Sequence, residues 1–371
     1  MNVPMLDLVA QYQTIKKETL DAIHQVIEAQ QFIMGPAIPK LEAEVAALSH
    51  AKYGIGCASG TDALLLPLKA LNLKPGDEVI TTPFTFFATA GTIHNAGGTP
   101  VFVDIDPDTF NIDPAAVEAA ITPRTRAIMP VHLYGQMAPM ERLLAIAAKK
   151  GIPVIEDAAQ AIGARRKIDG TWRMAGELGW ATGYSFFPSK NLGAWGDGGM
   201  IVTSDEQGAE RLKKLRLHGG AKQYHHEEVG TNSRLDTLQA ALLLAKLPHL
   251  AGWSAKRREH AASYTKAFAG LGAVRAPVVD PANEHIFHQY TLRVERRDEL
   301  QAHLKEKGIG HAVYYPIPLH LQPCFAHLKY AVGRLPRAER ASHEVISLPI
   351  YPELTDAQKN AVVDAVKSFY K

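Results

Sequence analysis

Short apolar runs alternate with amphipathic segments from Tyr53 to Ser204. Helical patterns separate several of these runs, for example over residues 60–71 and 140–150. Strands that alternate with helices favour a mostly parallel sheet with helices on both faces, and such sheets bind ligands at the carboxyl ends of their strands. We therefore predict a large α/β domain on a seven-stranded sheet, with strands over residues 53–58, 78–82, 99–104, 127–131, 152–156, 181–187 and 200–204.

The pattern changes after residue 245. A long helical stretch over 246–268 contains Pro248, which would interrupt it, and a strand pattern follows over 289–294. Near the end, Thr355-x-x-Gln358 is a capping-box pattern that starts an apolar helix face. We expect an N-terminal segment packed near a small domain, a large domain, and a small α/β C-terminal domain, over residues 1–35, 36–245 and 246–371.

Charge balance and cysteine content limit the classes of function. The 40 Lys and Arg residues nearly cancel the 38 Asp and Glu residues, and a net charge of +2 gives no sign of a nucleic-acid or membrane partner. Two cysteines, Cys57 and Cys324, exclude a disulfide scaffold and favour a reducing compartment. No apolar run approaches the ~18–20 residues of a membrane helix, and the start lacks the basic residues of a signal peptide. We expect a cytoplasmic protein.

The stretch SGTDA at 59–63 follows the first predicted strand and opens a helix. Gly60 lets a ligand approach the backbone, the helix start presents free N–H groups, and Thr61 adds a hydroxyl donor. These are the parts of a phosphate site. Taken alone, an ordinary capped turn is the more common explanation.

A second interpretation of the same region is a dinucleotide-binding fingerprint. Gly54-x-Gly56-x-x-x-Gly60 is followed about twenty residues later by acidic Asp77 and Glu78. The last gap is one residue too long, and the first two glycines fall within the strand instead of the turn. The pattern therefore disfavours a dehydrogenase.

Asp157 directly follows a predicted buried strand and belongs to the stretch EDAAQ at 156–160. A carboxylate at this edge of the sheet loses hydration unless a cation pairs with it, and a protonated pyridine nitrogen would be such a cation. An isolated Asp in this position more often caps the next helix.

Lys190 lies in the stretch SFFPSKNLG at 185–193, between an apolar strand and the glycine-dense stretch GDGG at 196–199. A desolvated lysine has a lowered pKa and can form a Schiff base. The glycines would let the backbone approach a flat cofactor. A lysine on a surface loop is the simpler explanation of this motif by itself.

Together the three motifs are more specific than any one of them. Pyridoxal phosphate needs an anion site for its phosphate, an acid that keeps its ring nitrogen protonated, and an amine for its aldehyde. An aromatic ring over the pyridine would complete the site, and the stretch TPFTFF at 82–87 supplies candidates. Phe84 and Phe87 could equally be core residues.

The adjacent histidines His225 and His226 could suggest a metal site. Adjacent side chains point in different directions on a regular element, and neither an HExxH pattern nor a cysteine cluster occurs. We expect no metal.

Many further motifs occur in a familiar order, namely GTDAL at 60–64, GDEVITTPFTFFAT at 76–89, VDIDP at 103–107, PVHLYGQ at 130–136, EDAAQ at 156–160, SFFPSKNLG at 185–193, GDGG at 196–199, NSRLDTLQAA at 232–241 and YPIPLHLQP at 315–323. With them the chain resembles the DegT-type sugar aminotransferases over nearly its whole length. That family shares the aspartate-aminotransferase fold and uses pyridoxal phosphate. The resemblance therefore implies this fold and this cofactor.

The resemblance also implies roles for residues at the matching positions. Lys190 would form the Schiff base and carry the proton, Asp157 would pair with the pyridinium nitrogen, and Gln160 would lie near the ring oxygen. The other implied cofactor contacts are Gly60, Thr61 and Ser185 at the phosphate, Phe86 stacked on the ring, and Asn232 reaching the phosphate from a second subunit. A homodimer with shared active sites follows from the last of these.

On the substrate side, the resemblance places Arg234, Tyr314, Tyr315 and His320. It is strongest to members that aminate C3 of a nucleotide-linked keto sugar, especially UDP-2-acetamido-3-keto-glucuronate, with L-glutamate as donor and 2-oxoglutarate as product. Relatives often read His-Tyr-Pro where this chain reads Tyr314-Tyr315-Pro316. TDP-3-keto-6-deoxyhexoses and 4-keto sugars therefore stay open as substrates, and the amino sugar would enter a surface polysaccharide or a glycosylated metabolite.

Two other activities occur on this fold. A sugar 3-dehydratase has histidine in place of the lysine, so Lys190 argues against it. A non-catalytic regulator that binds the cofactor is disfavoured by the net charge of +2 and by the lack of a recognisable DNA-binding segment.

Overall fold

A computed structural model of the chain describes residues 1–222 and 224–370. Lys371, the last residue of the predicted small domain, lies outside the described residues. The α-helices found in the described residues are α1 (Leu8–Ala29), α2 (Ala37–Leu48), α3 (Gly60–Ala70), α4 (Ala88–Asn95), α5 (Pro114–Ala120), α6 (Met140–Lys150), α7 (Glu206–Leu215), α8 (Thr237–Lys246), α9 (Leu250–Phe268), α10 (Arg297–Glu306), α11 (Pro336–Glu344) and α12 (Asp356–Tyr370).

The β-strands alternate with the helices from α2 to α6, five strands then follow one another before α7, and strands are sparser beyond it. They are β1 (Tyr53–Cys57), β2 (Glu78–Thr81), β3 (Thr99–Phe102), β4 (Thr125–Ile128), β5 (Ile155–Asp157), β6 (Arg165–Ile168), β7 (Thr171–Met174), β8 (Ala181–Ser185), β9 (Gly199–Thr203), β10 (Val274–Arg275), β11 (Asn283–Glu284), β12 (Tyr290–Val294) and β13 (Val345–Leu348).

Seven strands of the described chain form one sheet in the order β3-β2-β4-β5-β8-β9-β1. Parallel bridges from Ile128 to Val154 and from Val131 to Asp157 join β4 to β5. In this sheet β9 runs antiparallel to β8 and β1, and the other neighbouring strands run parallel. The predicted seven-stranded, mostly parallel sheet is confirmed.

The strand directions bring three loops to one edge of this sheet. β5 and β8 are parallel, and β1 and β8 are both antiparallel to β9, so all three end at the same edge. Ser59 and Lys190 lie in the loops that follow β1 and β8, and Asp157 is the last residue of β5, although the three residues are far apart in sequence. The topology therefore accounts for how the three predicted motifs come together.

The glycines of the dinucleotide-like spacing serve the packing of a helix. Gly54 and Gly56 lie inside β1. A Cβ on Gly54 would overlap the backbone carbonyl of Glu42 in α2, and the Gly56 N–H donates to Glu42 Oε1 at 2.8 Å. Both glycines thus allow α2 to lie close against the strand, and neither lies in the turn where a dinucleotide would bind.

A second sheet, β10-β12-β13, belongs to the C-terminal part of the chain. Helices α9, α10 and α12 pack with it around a separate apolar cluster, so the predicted smaller α/β unit is confirmed. Pro248 does interrupt the long helix, because a 3₁₀ turn over Leu247–His249 separates α8 from α9. The capping box is also present, with the Thr355 N–H donating to Gln358 Oε1 at 2.9 Å.

The N-terminal segment touches both parts of the chain. The Val3 N–H donates to the Gly308 carbonyl at 2.9 Å, and Val3 joins the C-terminal apolar cluster, whereas α1 packs against α8. The domain boundaries at residues 36 and 246 stay predictions. No helix among residues 1–222 and 224–370 combines the length and apolar character needed to span a membrane.

The hairpin β6–β7 was not predicted from the sequence. Its two-residue turn is formed by Asp169 and Gly170, both with positive φ (48° and 80°). An Asp-Gly pair is a strong hairpin signal, but the flanking strands are too polar to read as strands. β6 also pairs with β11, so the hairpin connects the two parts of the chain.

Replacing Gly183 with Ala should disturb the contact between the sheet and α3. The new Cβ would lie 2.9 Å from the Ala63 backbone carbonyl, and backbone cannot move aside cheaply, so we expect a loss of about 1–3 kcal/mol of unfolding free energy. Gly252→Ala is the matched control. That glycine lies at an exposed position of helix α9 with open space around it, so the change should stabilise the protein by about 0.5–1 kcal/mol. Urea unfolding of both variants measures the effect, and equal stability of the two would contradict it.

Candidate active site

Asp157 is a buried carboxylate at the end of β5, with 4% of its surface exposed. The Thr89 hydroxyl donates to its Oδ2 at 2.7 Å, and the Ala159 N–H donates to its Oδ1 at 3.2 Å. Burial nevertheless raises the pKa of Asp157, because these two donors do not replace its lost hydration. Within the described residues, no ion pair compensates its charge. A protonated ring nitrogen would supply the missing cation, so this site fits pyridoxal phosphate.

Lys190 lies in the loop after β8, held by its backbone N–H, which donates to the Phe187 carbonyl at 2.8 Å. The residue is half-buried. Burial lowers the pKa of Lys190 to about 8, while the charge of nearby Asp157 acts in the opposite direction. An amine with this pKa is partly unprotonated near neutral pH and can act as a nucleophile or a base.

The start of α3 forms a cradle suited to an anion. Ser59 caps the helix, accepting from the Asp62 N–H at 3.1 Å. The first N–H groups of a helix, here those of Gly60 and Thr61, have no acceptor within the helix. A Cβ on Gly60 would lie 2.6 Å from Ser185 Oγ, so the helix start and the end of β8 are in close contact. The donors of both elements therefore lie near one another, as a phosphate site requires.

Gln160 and Tyr315 connect the loop after β5 to the C-terminal part of the chain. The Gln160 amide donates to the Tyr315 hydroxyl at 3.0 Å and accepts from the Tyr134 N–H at 2.7 Å. The Tyr134 hydroxyl in turn donates to the Tyr314 carbonyl. Burial raises the pKa of Tyr315, and the neighbouring Asp157 charge adds to this effect. The predicted residues Gln160 and Tyr315 thus lie close to Asp157, and Tyr314 lies next to Tyr315.

The aromatic residues before α4 have different environments. Phe86 is 58% exposed, with its ring centroid 6.4 Å from that of Tyr315, which leaves its face free for a flat ligand. Phe84 is a core residue, as considered from the sequence. Phe87 is not, because it is half-exposed and stacks on Phe325 at 5.7 Å.

Three predicted residues make no hydrogen bond to Asp157 or Lys190 within the described residues. His320 is 2% exposed, and its Nε2 lies 3.1 Å from Glu339 in α11. Asn232 is exposed, and Arg234 lines a cavity of about 880 Å³ together with His218. Their roles toward cofactor and substrate stay predictions. Among the described residues, no group of three or more His, Cys, Asp or Glu side chains could hold a metal ion.

Sequence reasoning missed the support beneath Asp157. Glu156 is fully buried on the opposite side of β5 and accepts from the Gly179 N–H at 2.6 Å and from His132 Nε2 at 2.7 Å. The Ala138 N–H donates to His132 Nδ1, so the Nε2 carries the hydrogen. Burial raises the pKa of Glu156, but the His132 and backbone donors outweigh it and lower the pKa overall. The only signal of this support in the sequence is that the two acids of EDAAQ, Glu156 and Asp157, are adjacent, because adjacent residues of a strand point to opposite faces.

The pKa of Lys190 predicts how its amine reacts in protein freed of cofactor. Labelling of Lys190 by an amine-selective reagent should have its midpoint near pH 8. Asp157→Asn removes the charge that raises the pKa of Lys190, so the midpoint should fall by roughly 1 pH unit or more. Peptide mass spectrometry measures both, with exposed Lys149 as the reagent control, whose labelling should be the same in both proteins. A midpoint that rises in Asp157→Asn would contradict this electrostatic account.

The DegT/DnrJ/EryC1/StrS aminotransferase family model matches residues 13–367. A "pleiotropic regulatory protein" of Geobacillus stearothermophilus is 56% identical over 100% of this chain and 99% of its own length. A UDP-N-acetyl-3-dehydro-alpha-D-glucosamine 3-aminotransferase of Acidithiobacillus ferrooxidans is 46% identical over 98% and 97%. A UDP-2-acetamido-2-deoxy-3-oxo-D-glucuronate aminotransferase of Pseudomonas aeruginosa is 45% identical over 98% and 99%.

Solved structures show the same relationship. The S. venezuelae protein DesV, in complex with a ketimine intermediate, has a TM-score of 0.96 at 44% identity over 100% of this chain and 99% of its own. A Bacillus subtilis protein, NtdA, with bound cofactor PMP has a TM-score of 0.92 at 33% identity over 100% and 85%. The cofactor is therefore pyridoxal phosphate, and the fold is that of the pyridoxal-phosphate transferases. The chain belongs to the DegT/DnrJ/EryC1/StrS aminotransferase family.

Proposed function

We propose that this aminotransferase acts on a nucleotide-linked keto sugar, with a C3 ketone as the acceptor and L-glutamate as the amino donor. The observation that carries the proposal is the buried Asp157 carboxylate with the half-buried Lys190 amine near enough for each charge to shift the pKa of the other. The relatives named for 3-keto UDP-sugars support the acceptor, because each is at least 45% identical over nearly the whole chain.

The roles of the chain's own residues follow from their surroundings. When bound, pyridoxal phosphate supplies an electron sink for the carbanion formed at the carbon that loses or gains the amino group. Asp157 keeps its negative charge toward the ring nitrogen and so holds a proton there. Lys190 Nζ takes a proton from the substrate carbon and returns one, which its pKa of about 8 allows near neutral pH.

The remaining predicted contacts would hold the cofactor and set its orientation. The Gly60 and Thr61 N–H groups and the Ser185 hydroxyl would hold the phosphate at the start of α3. Phe86 would stack on the ring, and Gln160, fixed by its bonds to Tyr315 and Tyr134, would contact the ring oxygen.

A homodimer completes each site, with Asn232 of the partner subunit reaching the phosphate. Three aromatic side chains beside the site are exposed in one subunit, namely Phe86, Phe187 (52%) and Trp195 (43%). Exposed aromatic side chains near a functional site favour coverage by another protein surface. The exposure of Asn232 agrees with a role outside its own subunit.

The sugar side is assigned to Arg234, Tyr314, Tyr315 and His320. Tyr315 has the best-supported role, since its hydroxyl contacts Gln160 and its ring lies 6.4 Å from that of Phe86. His320 would act from beneath the side chains that face the sugar, because its ring is buried against Glu339.

A substrate panel tests the reaction. L-glutamate should convert bound pyridoxal phosphate to its amine form, seen as a change in visible absorbance, with release of 2-oxoglutarate. One keto sugar from a set of UDP- and TDP-linked 3-keto and 4-keto sugars should then reverse the change. Restoration by a 4-keto sugar alone would overturn the C3 assignment, and no glutamate-driven change would overturn the choice of donor.

Lys190→Ala should abolish turnover, since no other amine replaces its nucleophile and base. Lys190→Arg keeps the positive charge but not the reactivity and should be equally inactive. Normal turnover in either variant would remove Lys190 from the mechanism, and circular dichroism confirms that both variants remain folded.

Shared sites predict rescue between two inactive variants. In a mixed dimer of Lys190→Ala and Asn232→Ala subunits, one site would hold both substitutions and the other neither. Random mixing should therefore restore about a quarter of wild-type activity, because half of the dimers each regain one site. If Asn232 served its own subunit, the mixture would stay as inactive as the separate variants.

A regulator without catalysis is the alternative that the name of the Geobacillus stearothermophilus relative suggests. The turnover assay with glutamate separates the two functions, since a regulator would bind the cofactor without releasing 2-oxoglutarate.

A further inference from the structure

A second buried lysine lies against the loop that carries Lys190. Lys246 ends α8, is only 2% exposed, and donates from Nζ to the Gly193 carbonyl at 2.5 Å. Within the described residues no carboxylate forms an ion pair with it. Its ammonium instead faces the Trp253 ring at 6.0 Å and the more distant charge of Glu353.

Burying an ammonium group without an ion pair costs free energy. Burial accordingly lowers the pKa of Lys246 to about 8, which Glu353 only partly opposes. A methionine or leucine at this place in α8 would avoid that cost. The bond to Gly193 is the single hydrogen bond that Lys246 Nζ makes in the described parts of the chain, so the benefit of the lysine lies in that bond.

The position of Lys190 depends on that of Gly193 through the backbone contacts of this loop. A Cβ on Gly193 would overlap the Pro188 carbonyl, so the two ends of the loop are in direct backbone contact. The Ala194 N–H donates to the Phe186 carbonyl and the Lys190 N–H to the Phe187 carbonyl, both at 2.8 Å. A shift of Gly193 would therefore move the backbone that sets the direction of the Lys190 side chain.

A second anchor fixes the opposite side of this loop. Asn191 donates from Nδ2 to the Ile286 carbonyl at 3.4 Å, which leaves its Oδ1 to accept from His288 Nδ1 at 3.0 Å. The Ile286 N–H donates to the Gly135 carbonyl at 3.0 Å. Without Lys246 the loop would keep this anchor and could still pivot about it.

We propose that Lys246 is a positioning residue, whose ammonium holds the Gly193 carbonyl and thereby keeps the Lys190 amine in place for proton transfer at the substrate carbon. The proposal rests on the proposed function of Lys190. It concerns the alignment of a reacting group, where displacements of about 1 Å change rates by as much as a hundredfold.

The test compares Lys246→Met, which removes the donor, with Lys246→Arg, which restores one. Val362→Ala is the stability control, because Val362 lies in the C-terminal apolar cluster on α12. Hydrogen–deuterium exchange of amides 187–194 is measured in protein freed of cofactor, and kcat and KM are measured in the loaded enzyme. If Lys246→Met does not fold, Lys246→Gln, which is too short to reach Gly193, takes its place.

In Lys246→Met, the loop amides should exchange faster than in the wild type. Its kcat should fall about 10–100-fold, with KM for both substrates nearly unchanged. Lys246→Arg should recover most of both effects, whereas Val362→Ala should lower the unfolding temperature and leave the loop amides protected. Wild-type exchange in Lys246→Met, or equal kcat losses in Lys246→Met and Val362→Ala, would overturn the proposal. If the wild-type enzyme showed no aminotransfer, the proposed function would fail, and the positioning proposal, which rests on it, would be overturned as well.

Discussion

The electrostatic coupling between Asp157 and Lys190 is the constraint on which the site depends. Burial disfavours both charges, raising the pKa of Asp157 and lowering that of Lys190, while each charge favours the other. Thr89 and Ala159 supply only part of the missing solvation, so the carboxylate is suited to a cationic ring nitrogen. The same burial leaves the amine basic enough to accept a proton and weak enough to release it near neutral pH.

Such a pair needs a rigid support, and the large sheet provides it. β5, which carries Asp157, lies between β4 and β8, with Glu156 bound beneath it by His132 and by backbone donors. Glu156 is a buried charge that accepts several hydrogen bonds, whereas the Asp157 carboxylate accepts only those of Thr89 and Ala159 within the described residues. Adjacent residues of one strand thus have opposite tasks, one structural and one chemical, because the strand directs them to opposite faces.

The C-terminal part of the chain completes the site from the other side. Tyr315 contacts Gln160, and the segment around Ile286 and His288 holds Asn191 next to Lys190. The site therefore depends on how the C-terminal part packs against the large sheet.

The sequence by itself determined the parallel sheet and the order of the motifs, and it singled out Gly60, Asp157 and Lys190 as candidate site residues, because strand period, turn glycines and short motifs are local properties. It did not reveal the β6–β7 hairpin, the environment of His320 or the loop anchors. Lys246 and Gly193 are 53 residues apart and Asn191 and His288 are 97 apart, and only the folded chain brings each pair together. Buried polar partners of this kind leave no periodic signal, since each is chosen by the one donor or acceptor that the tertiary structure places beside it.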